Sequence, residues 1–105
     1  MSTQTKTAKL KVLAAPSPKE ALREAVDSFL QRGQARNLSS HTLRFYRTRL
    51  EAFLRYLEGE GLNLGPAEVT PAVVRDFLAR ERERISPLTA GHSYITLRAF
   101  FRYLE

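Results

Sequence analysis

Two histidines, a concentration of arginines and short serine–threonine runs are the residues of this sequence whose types could do chemistry. His41 and Arg44 fit a His-x-x-Arg pattern, which in some phosphoryl-transfer enzymes binds the scissile phosphate. A working site of that kind needs further cations and a nucleophile that converge on the same phosphate. The pattern stands at the start of an amphipathic helix, where it suits contact with a DNA-backbone phosphate equally well. Phosphate contact is therefore the chemistry that this pair predicts.

Other catalytic and metal-binding patterns are missing from the sequence. Two histidines, no cysteine and no suitably spaced carboxylate leave little for a metal site. The glycines Gly59, Gly61 and Gly65 lack a following Lys-Ser or Lys-Thr, and no serine stands in a nucleophile-elbow context. We therefore predict no metal, no cofactor and no catalytic residue, so that the chain by itself is not an enzyme.

The positive charge is concentrated in part of the chain. The 105 residues include 17 Lys and Arg against 11 Asp and Glu, which gives a net charge of +6. Between residues 36 and 55, five arginines face a single acid, Glu51, whereas residues 66–84 hold four arginines and four acids. A basic excess of this kind favours polyanionic partners, most often nucleic acid. Double-stranded DNA is the partner that we predict.

Composition places the chain among globular domains. Residues 1–16 carry Lys6, Lys9 and Lys11 with few large apolar side chains, so we predict a flexible basic tail there and one helical domain over residues 17–105. No apolar run approaches membrane-spanning length, and the N-terminus lacks a signal-peptide core. We expect no membrane association and a cytoplasmic location.

Four helix starts are marked by a short polar residue. Ser17-Pro18, Thr70-Pro71 and Ser86-Pro87 each place a capping residue before a proline at the first helical position. The remaining start lies at Ser39 or Ser40. The first helix is expected to end at Gly33, because a glycine is favoured where a helix terminates in the left-handed conformation. The predicted helices span residues 18–33, 40–58, 71–84 and 87–104.

Apolar residues within these segments recur at three- and four-residue steps, which places them on one side of each helix. No alternating segment of useful length predicts a strand, so the fold class is all-α, a compact four-helix bundle. In the fourth helix the predicted main stripe is Tyr94, Leu97, Phe101 and Leu104. Gly91 is expected to permit close packing of that helix, with close approach of a ligand as the alternative.

The four segments together resemble the core-binding domain of tyrosine recombinases, the phage integrase and Xer-like family. The resemblance to its second helix is carried by Asn37, Leu38, Ser39, Thr42, Leu43, Tyr46, Leu50, Phe53, Tyr56 and Leu57. Its third helix is matched by Val69-Thr70-Pro71-x-Val73-Val74-x-x-Phe77-Leu78. Its closing helix resembles Ser86-Pro87-x-Thr89 followed by Leu97-Arg98-x-Phe100-Phe101-x-Tyr103-Leu104. The resemblance covers about residues 17–105.

This resemblance implies a SAM-like helical domain that grips one side of a recombination half-site, for DNA integration or recombination. In the family a separate domain carries the catalytic residues, and this chain stops where the linker to it would begin. We therefore expect the catalytic domain to be absent, and the His41–Arg44 pair does not correspond to the family's catalytic box. The parent protein is expected to be tetrameric on DNA and the isolated domain monomeric.

The resemblance also implies which residues meet DNA, because family members place the second and fourth helices against the major groove. Thr89, His92, Ser93 and Thr96 lie, by helical spacing, on one side of the fourth helix away from its main stripe. Arg49 stands where relatives often carry an acid and is expected to add to the basic face. The predicted DNA-binding residues are Arg36, Ser39, Ser40, His41, Thr42, Arg44, Arg47, Thr89, His92, Ser93 and Thr96.

A helical protein–protein interaction module, with its basic face exposed to solvent, is the alternative function. Amide shift mapping with a duplex distinguishes the two. Clustering of shifts at residues 39–48 and 89–96 would support DNA, and clustering on the first helix or at residues 62–69 would support a protein partner.

Overall fold

Four α-helices and one short 3-10 turn make up the fold in a computed structural model that describes residues 16–105. The helices are α1 (Pro18–Ala35), α2 (Ser40–Gly59), α3 (Pro71–Arg84) and α4 (Pro87–Leu104), and the 3-10 turn is Pro66–Glu68. The predicted all-α bundle is confirmed. The tail predicted for residues 1–16 lies, apart from Pro16, outside the described residues. No helix within residues 16–105 is long and apolar enough to cross a membrane.

The predicted capping residues form the starts of the helices. Ser17 accepts a hydrogen bond from the Glu20 N–H, and the Glu20 carboxylate accepts one from the Ser17 N–H, which completes a capping box. Ser39, Thr70 and Ser86 each accept a bond from the N–H three residues further on. Each cap satisfies a first-turn donor that has no partner within the helix, so these starts are fixed by local sequence.

The predicted end of α1 was wrong. Gly33 lies inside the helix, which continues to Ala35, and the residue with a left-handed backbone is Asn37 at φ 62°. Gly33 is buried because the chain folds back over it. A Cβ at this position would lie 2.8 Å from Leu43 Cδ2 and 3.0 Å from Leu38 Cδ1. The glycine therefore serves the approach of α2 to α1, and asparagine, which tolerates the left-handed region, makes the turn.

The core is formed by the apolar sides of the four helices. Fully buried side chains from α1, α2 and α4 meet Phe77 of α3. Phe100, expected only to widen the stripe of α4, is completely buried and packs edge-on against Phe29 at 5.5 Å between ring centroids. The core members are Leu22, Val26, Leu30, Leu50, Phe53, Leu57, Phe77, Leu97 and Phe100.

The predicted orientation of α4 requires correction. Ser93 and Thr96, which were expected to face outward, have no exposed surface, whereas Tyr94 and Ile95 of the predicted apolar side are 51% and 56% exposed. Because α4 packs against all three other helices, its buried side is wide and includes small polar residues. The Thr96 hydroxyl donates to the His92 carbonyl oxygen at 3.0 Å, so its burial leaves no unpaired donor.

Gly91 does not mediate helix packing. It lies on the exposed surface of α4, and a Cβ there would meet no atom within 4 Å. The backbone at this point is open to solvent.

Candidate nucleic-acid interface

A cleft of about 310 Å³ lies between the N-terminal half of α2 and the first turns of α4. We refer to it as the α2–α4 cleft. It brings together four of the predicted residues from segments almost fifty positions apart. Its lining residues are His41, Arg44, Phe45, Thr48, Arg49, Thr89 and His92.

The helix starts that flank this cleft share one local geometry. The Ser39 Oγ accepts from the Thr42 N–H at 3.1 Å and donates to the Thr42 Oγ1 at 2.9 Å. The Ser86 Oγ makes the same pair of bonds to Thr89, at 3.0 Å each. Because each serine proton is used within the pair, each threonine hydroxyl keeps its own proton for an external acceptor. Helix N-termini also favour anions through the helix dipole. Two hydroxyl donors are thus held at anion-favouring positions.

Three polar side chains of the cleft, from Arg44, His41 and His92, are available to a ligand. His41 and Arg44 are exposed, and neither forms an ion pair among the described residues. His92 is half-buried, and its ring stands edge-on to Phe45 at 5.1 Å between centroids. This contact orients the imidazole at the wall of the cleft and leaves its nitrogens free to donate or accept.

The two acids of α2, Glu51 and Glu58, do not offset the positive charge of Arg44, because cations from α1 already engage both of them. Arg23 donates two hydrogen bonds to Glu51, at 2.5 and 3.0 Å. These bonds hold the pKa of the Glu51 carboxyl below its ordinary value, with smaller contributions from the charges of Arg23, Arg55 and Arg47. The bidentate pair fixes Glu51 against α1, so Glu51 does not offset the charge of Arg44 on the cleft side.

Two predicted arginines lie elsewhere. Arg47 is exposed at the α1 side of α2, in a depression that also includes Asp27. Arg36 lies in a separate cleft between the ends of α1 and α4. Ser39, Ser40 and Thr42 stand at the start of α2, and Thr42 is half-buried. The structure therefore does not gather the predicted residues into one surface.

Three residues that were expected on the surface are buried or largely buried in the structure. Ser93 and Thr96 have no exposed surface and present no group to a ligand in this structure. Arg49 was expected on the basic face, but only 17% of its side chain is exposed, and it forms an ion pair with Glu81 of α3. It lines the floor of the α2–α4 cleft while its charge is already partnered.

Phe45 and Thr48 line the cleft but were not among the predicted DNA-binding residues, although Thr48 closes the segment 39–48 that was expected to respond to DNA. Both follow from helical spacing, since residues 41, 44, 45 and 48 share one side of α2. The Thr48 Oγ1 donates to the Arg44 carbonyl oxygen at 2.9 Å. The spacing signal was present, but Phe45 was indistinguishable from a core residue without its neighbours.

Comparison with protein families and curated proteins identifies relatives of the chain. Residues 26–105 match the family described as phage integrase, N-terminal SAM-like domain. A tyrosine recombinase XerC of Oceanobacillus iheyensis is 38% identical over 82 residues, which are 76% of this chain and 27% of that protein. A tyrosine recombinase XerD of Shewanella oneidensis is 37% identical over 81 residues, covering 75% of this chain and 26% of that protein.

A tyrosine recombinase XerC of Thermodesulfovibrio yellowstonii is 38% identical over 76 residues, covering 71% of this chain and 22% of that protein. The chain thus spans about a quarter of the length of these curated relatives. No solved structure matches it significantly.

Proposed function

Because this chain belongs to the phage integrase N-terminal SAM-like domain family, we propose that it is the DNA-binding module of a site-specific tyrosine recombinase. The module holds one face of a recombination half-site and positions it for integration or recombination. It carries no catalytic residue itself. We infer that catalysis belongs to other parts of the recombinase, because the sequence of this chain shows no catalytic pattern and spans only 22–27% of the relatives that bear this name.

The observation that carries the proposal is the α2–α4 cleft. Arg44 and His41 of α2 face Thr89 and His92 of α4 across it. Arginine forks, hydroxyl donors and helix N-termini are the groups that contact phosphate oxygens in protein–DNA complexes. Such contacts set the register of a protein on the duplex, and the major groove is wide enough to admit a helix. The His-x-x-Arg pattern at residues 41–44 therefore serves as a grip on backbone phosphate.

A salt titration with a short duplex tests this function. Four to six neutralised phosphates would give a slope of roughly −4 to −5 for log affinity against log salt concentration. Arg44→Gln should weaken binding to all sequences and make the slope shallower by about 0.9. Arg75→Gln on α3 is the matched control, because it removes the same charge from an exposed residue away from the cleft. Absence of salt-sensitive binding by the unmodified chain would sink the proposal.

One observation favours a protein partner as the second candidate. Leu88, Tyr94 and Ile95 of α4, together with Ile85 just before it, are between 51% and 69% exposed. Leu88 and Ile95, seven positions apart, lie on the same side of α4, and exposed large apolar side chains on one side of a helix are typical of protein contact surfaces. Amide shift mapping separates the candidates at residues 39–48, which DNA would perturb and a protein partner on this surface would leave unchanged. Shifts at Tyr94 and Ile95 do not discriminate, because both lie within the segment 89–96 that DNA would also perturb.

A further inference from the structure

A second cleft, of about 660 Å³, lies where the last turns of α1 and α4 meet the start of α2. We call it the arginine cleft. Arg32, Arg36 and Arg102 line it, and no Asp or Glu is among its lining residues. All three arginines are exposed.

These arginines have no carboxylate partner within residues 16–105. The ion pairs of that region engage Lys19, Arg23, Arg49 and Arg80. Three unpaired guanidinium groups at one cleft create a positive potential that attracts an anion.

The floor of the arginine cleft is aromatic and holds one guanidinium in place. Phe29 packs against Tyr46 and Tyr103, with 5.4 and 5.5 Å between ring centroids. The Arg32 Cζ lies 5.8 Å from the centre of the Tyr103 ring, within cation–π range. Stacking of this kind restricts the side chain before a ligand arrives, so less conformational entropy is lost on binding.

Charge compensation at helix ends explains only part of this arrangement. Arg32 and Arg102 stand in the last turns of α1 and α4, where a cation interacts favourably with the helix dipole. Arg36 follows the end of α1 and adds a third cation to the same cleft. One arginine for each helix end would suffice for compensation, so the excess points to an external anion.

We propose that the arginine cleft is a second phosphate-binding subsite for the DNA duplex, engaged together with the α2–α4 cleft. The choice of DNA over an acidic protein rests on continuity along the chain. Leu38 lines the arginine cleft and is followed directly by Ser39, which caps the helix of the α2–α4 cleft. Leu38 of the arginine cleft and His41 of the α2–α4 cleft place both clefts at the start of α2, and a duplex held there is in reach of both. This inference rests on the proposed function and adds the residues Arg32 and Arg102 to it.

Salt titrations of single variants test the subsite. Arg102→Gln and Arg32→Gln should each make the slope of log affinity against log salt shallower by about 0.9, and the double variant by about 1.8. Arg102→Lys keeps the charge and should keep the slope. The matched control Arg75→Gln should leave the slope almost unchanged. Urea unfolding of each variant shows that the fold is retained.

The outcomes separate this inference from the proposed function. If Arg44→Gln flattens the slope while Arg102→Gln and Arg32→Gln behave like Arg75→Gln, the subsite is overturned and the DNA-binding function stands. The same result is expected if the arginine cleft receives an acidic protein segment. If the unmodified chain shows no salt-sensitive duplex binding, both fail.

Discussion

Arg49 Nη1 lies 3.1 Å from Glu81 Oε2 and joins α2 to α3 beneath the α2–α4 cleft. The Glu81 side chain is 5% exposed, and its Oε1 is buried without a hydrogen-bond partner in the structure. The same Arg49 nitrogen stands 3.4 Å from the Ser93 Oγ of α4. The Arg49 guanidinium thus connects α2, α3 and α4, and its charge is paired with Glu81 rather than offered to a ligand in the cleft.

Removal of the Glu81 carboxylate should lower the stability of the folded chain, because Arg49 would lose its charge partner. Glu81→Ala leaves the Arg49 charge largely buried and unpaired, so the free energy of unfolding is expected to fall by about 3 kcal/mol. The double variant Arg49→Met with Glu81→Leu should lose much less, because it removes both charges and fills their volume. Urea unfolding of Arg49→Met, Glu81→Leu and the double variant measures the coupling between the two side chains. Additive losses would contradict an interaction between the two side chains.

The pair between Arg23 and Glu51 predicts a dependence of stability on pH. The pKa of Glu51 is below its ordinary value of 4.5 in the folded chain, because Arg23 donates hydrogen bonds to the carboxylate. As the pH falls, the Glu51 carboxylate is therefore protonated in the unfolded chain before it is protonated in the folded chain. The stabilisation from this pair is fully present above pH 4.5 and is lost as the pH falls through the pKa of Glu51 in the folded chain.

Glu51→Gln should therefore make the loss of stability below pH 4.5 less steep. Unfolding in urea at a series of pH values measures the effect. Glu83→Gln is the control, because Glu83 is exposed and forms no ion pair within residues 16–105. If Glu51→Gln and Glu83→Gln showed the same dependence of stability on pH, the assignment of this dependence to Glu51 would be refuted.

Two exposed glycines should respond to alanine in opposite directions. Gly91 lies inside α4 with open space around the position of a Cβ, so Gly91→Ala is expected to stabilise the chain by about 1 kcal/mol through helix propensity. Gly61 has φ +69°, where an L side chain is strained, so Gly61→Ala should cost about 1 kcal/mol. Thermal or urea unfolding compares the two. A destabilising Gly91→Ala would show that its backbone meets an unrecognised neighbour.

The burial of Thr96 predicts a contrast between two threonines in DNA binding. Thr89→Val removes a hydroxyl from the α2–α4 cleft and should weaken duplex binding about fivefold, the equivalent of one hydrogen bond worth about 1 kcal/mol. Thr96→Val removes a hydroxyl that bonds within its own helix, so duplex affinity should stay within about twofold. Fluorescence anisotropy at one salt concentration compares them. A larger loss for Thr96→Val would mean that α4 turns on binding.

The sequence by itself determined the elements of this protein. Ser17, Thr70 and Ser86 each cap a helix at the predicted place, and Ser39, one of the two residues predicted for α2, caps that helix, because a capping bond is made within three residues. The all-α class and the family also followed from local patterns in the chain. The concentration of arginine in residues 36–55 predicts phosphate contact from the sequence alone.

Only the tertiary structure decided which of these residues face solvent. Ser93, Thr96 and Arg49 looked like surface residues by type and spacing, yet three converging helices bury or pair them. Local rules predicted that Gly33 would end α1, but Gly33 lies inside that helix. A glycine stands there because the approach of α2 requires a position without a side chain. Arg32 and Arg102 share a cleft although 70 positions separate them. Burial and proximity depend on how the helices pack together, and that packing is set by contacts distant in the sequence.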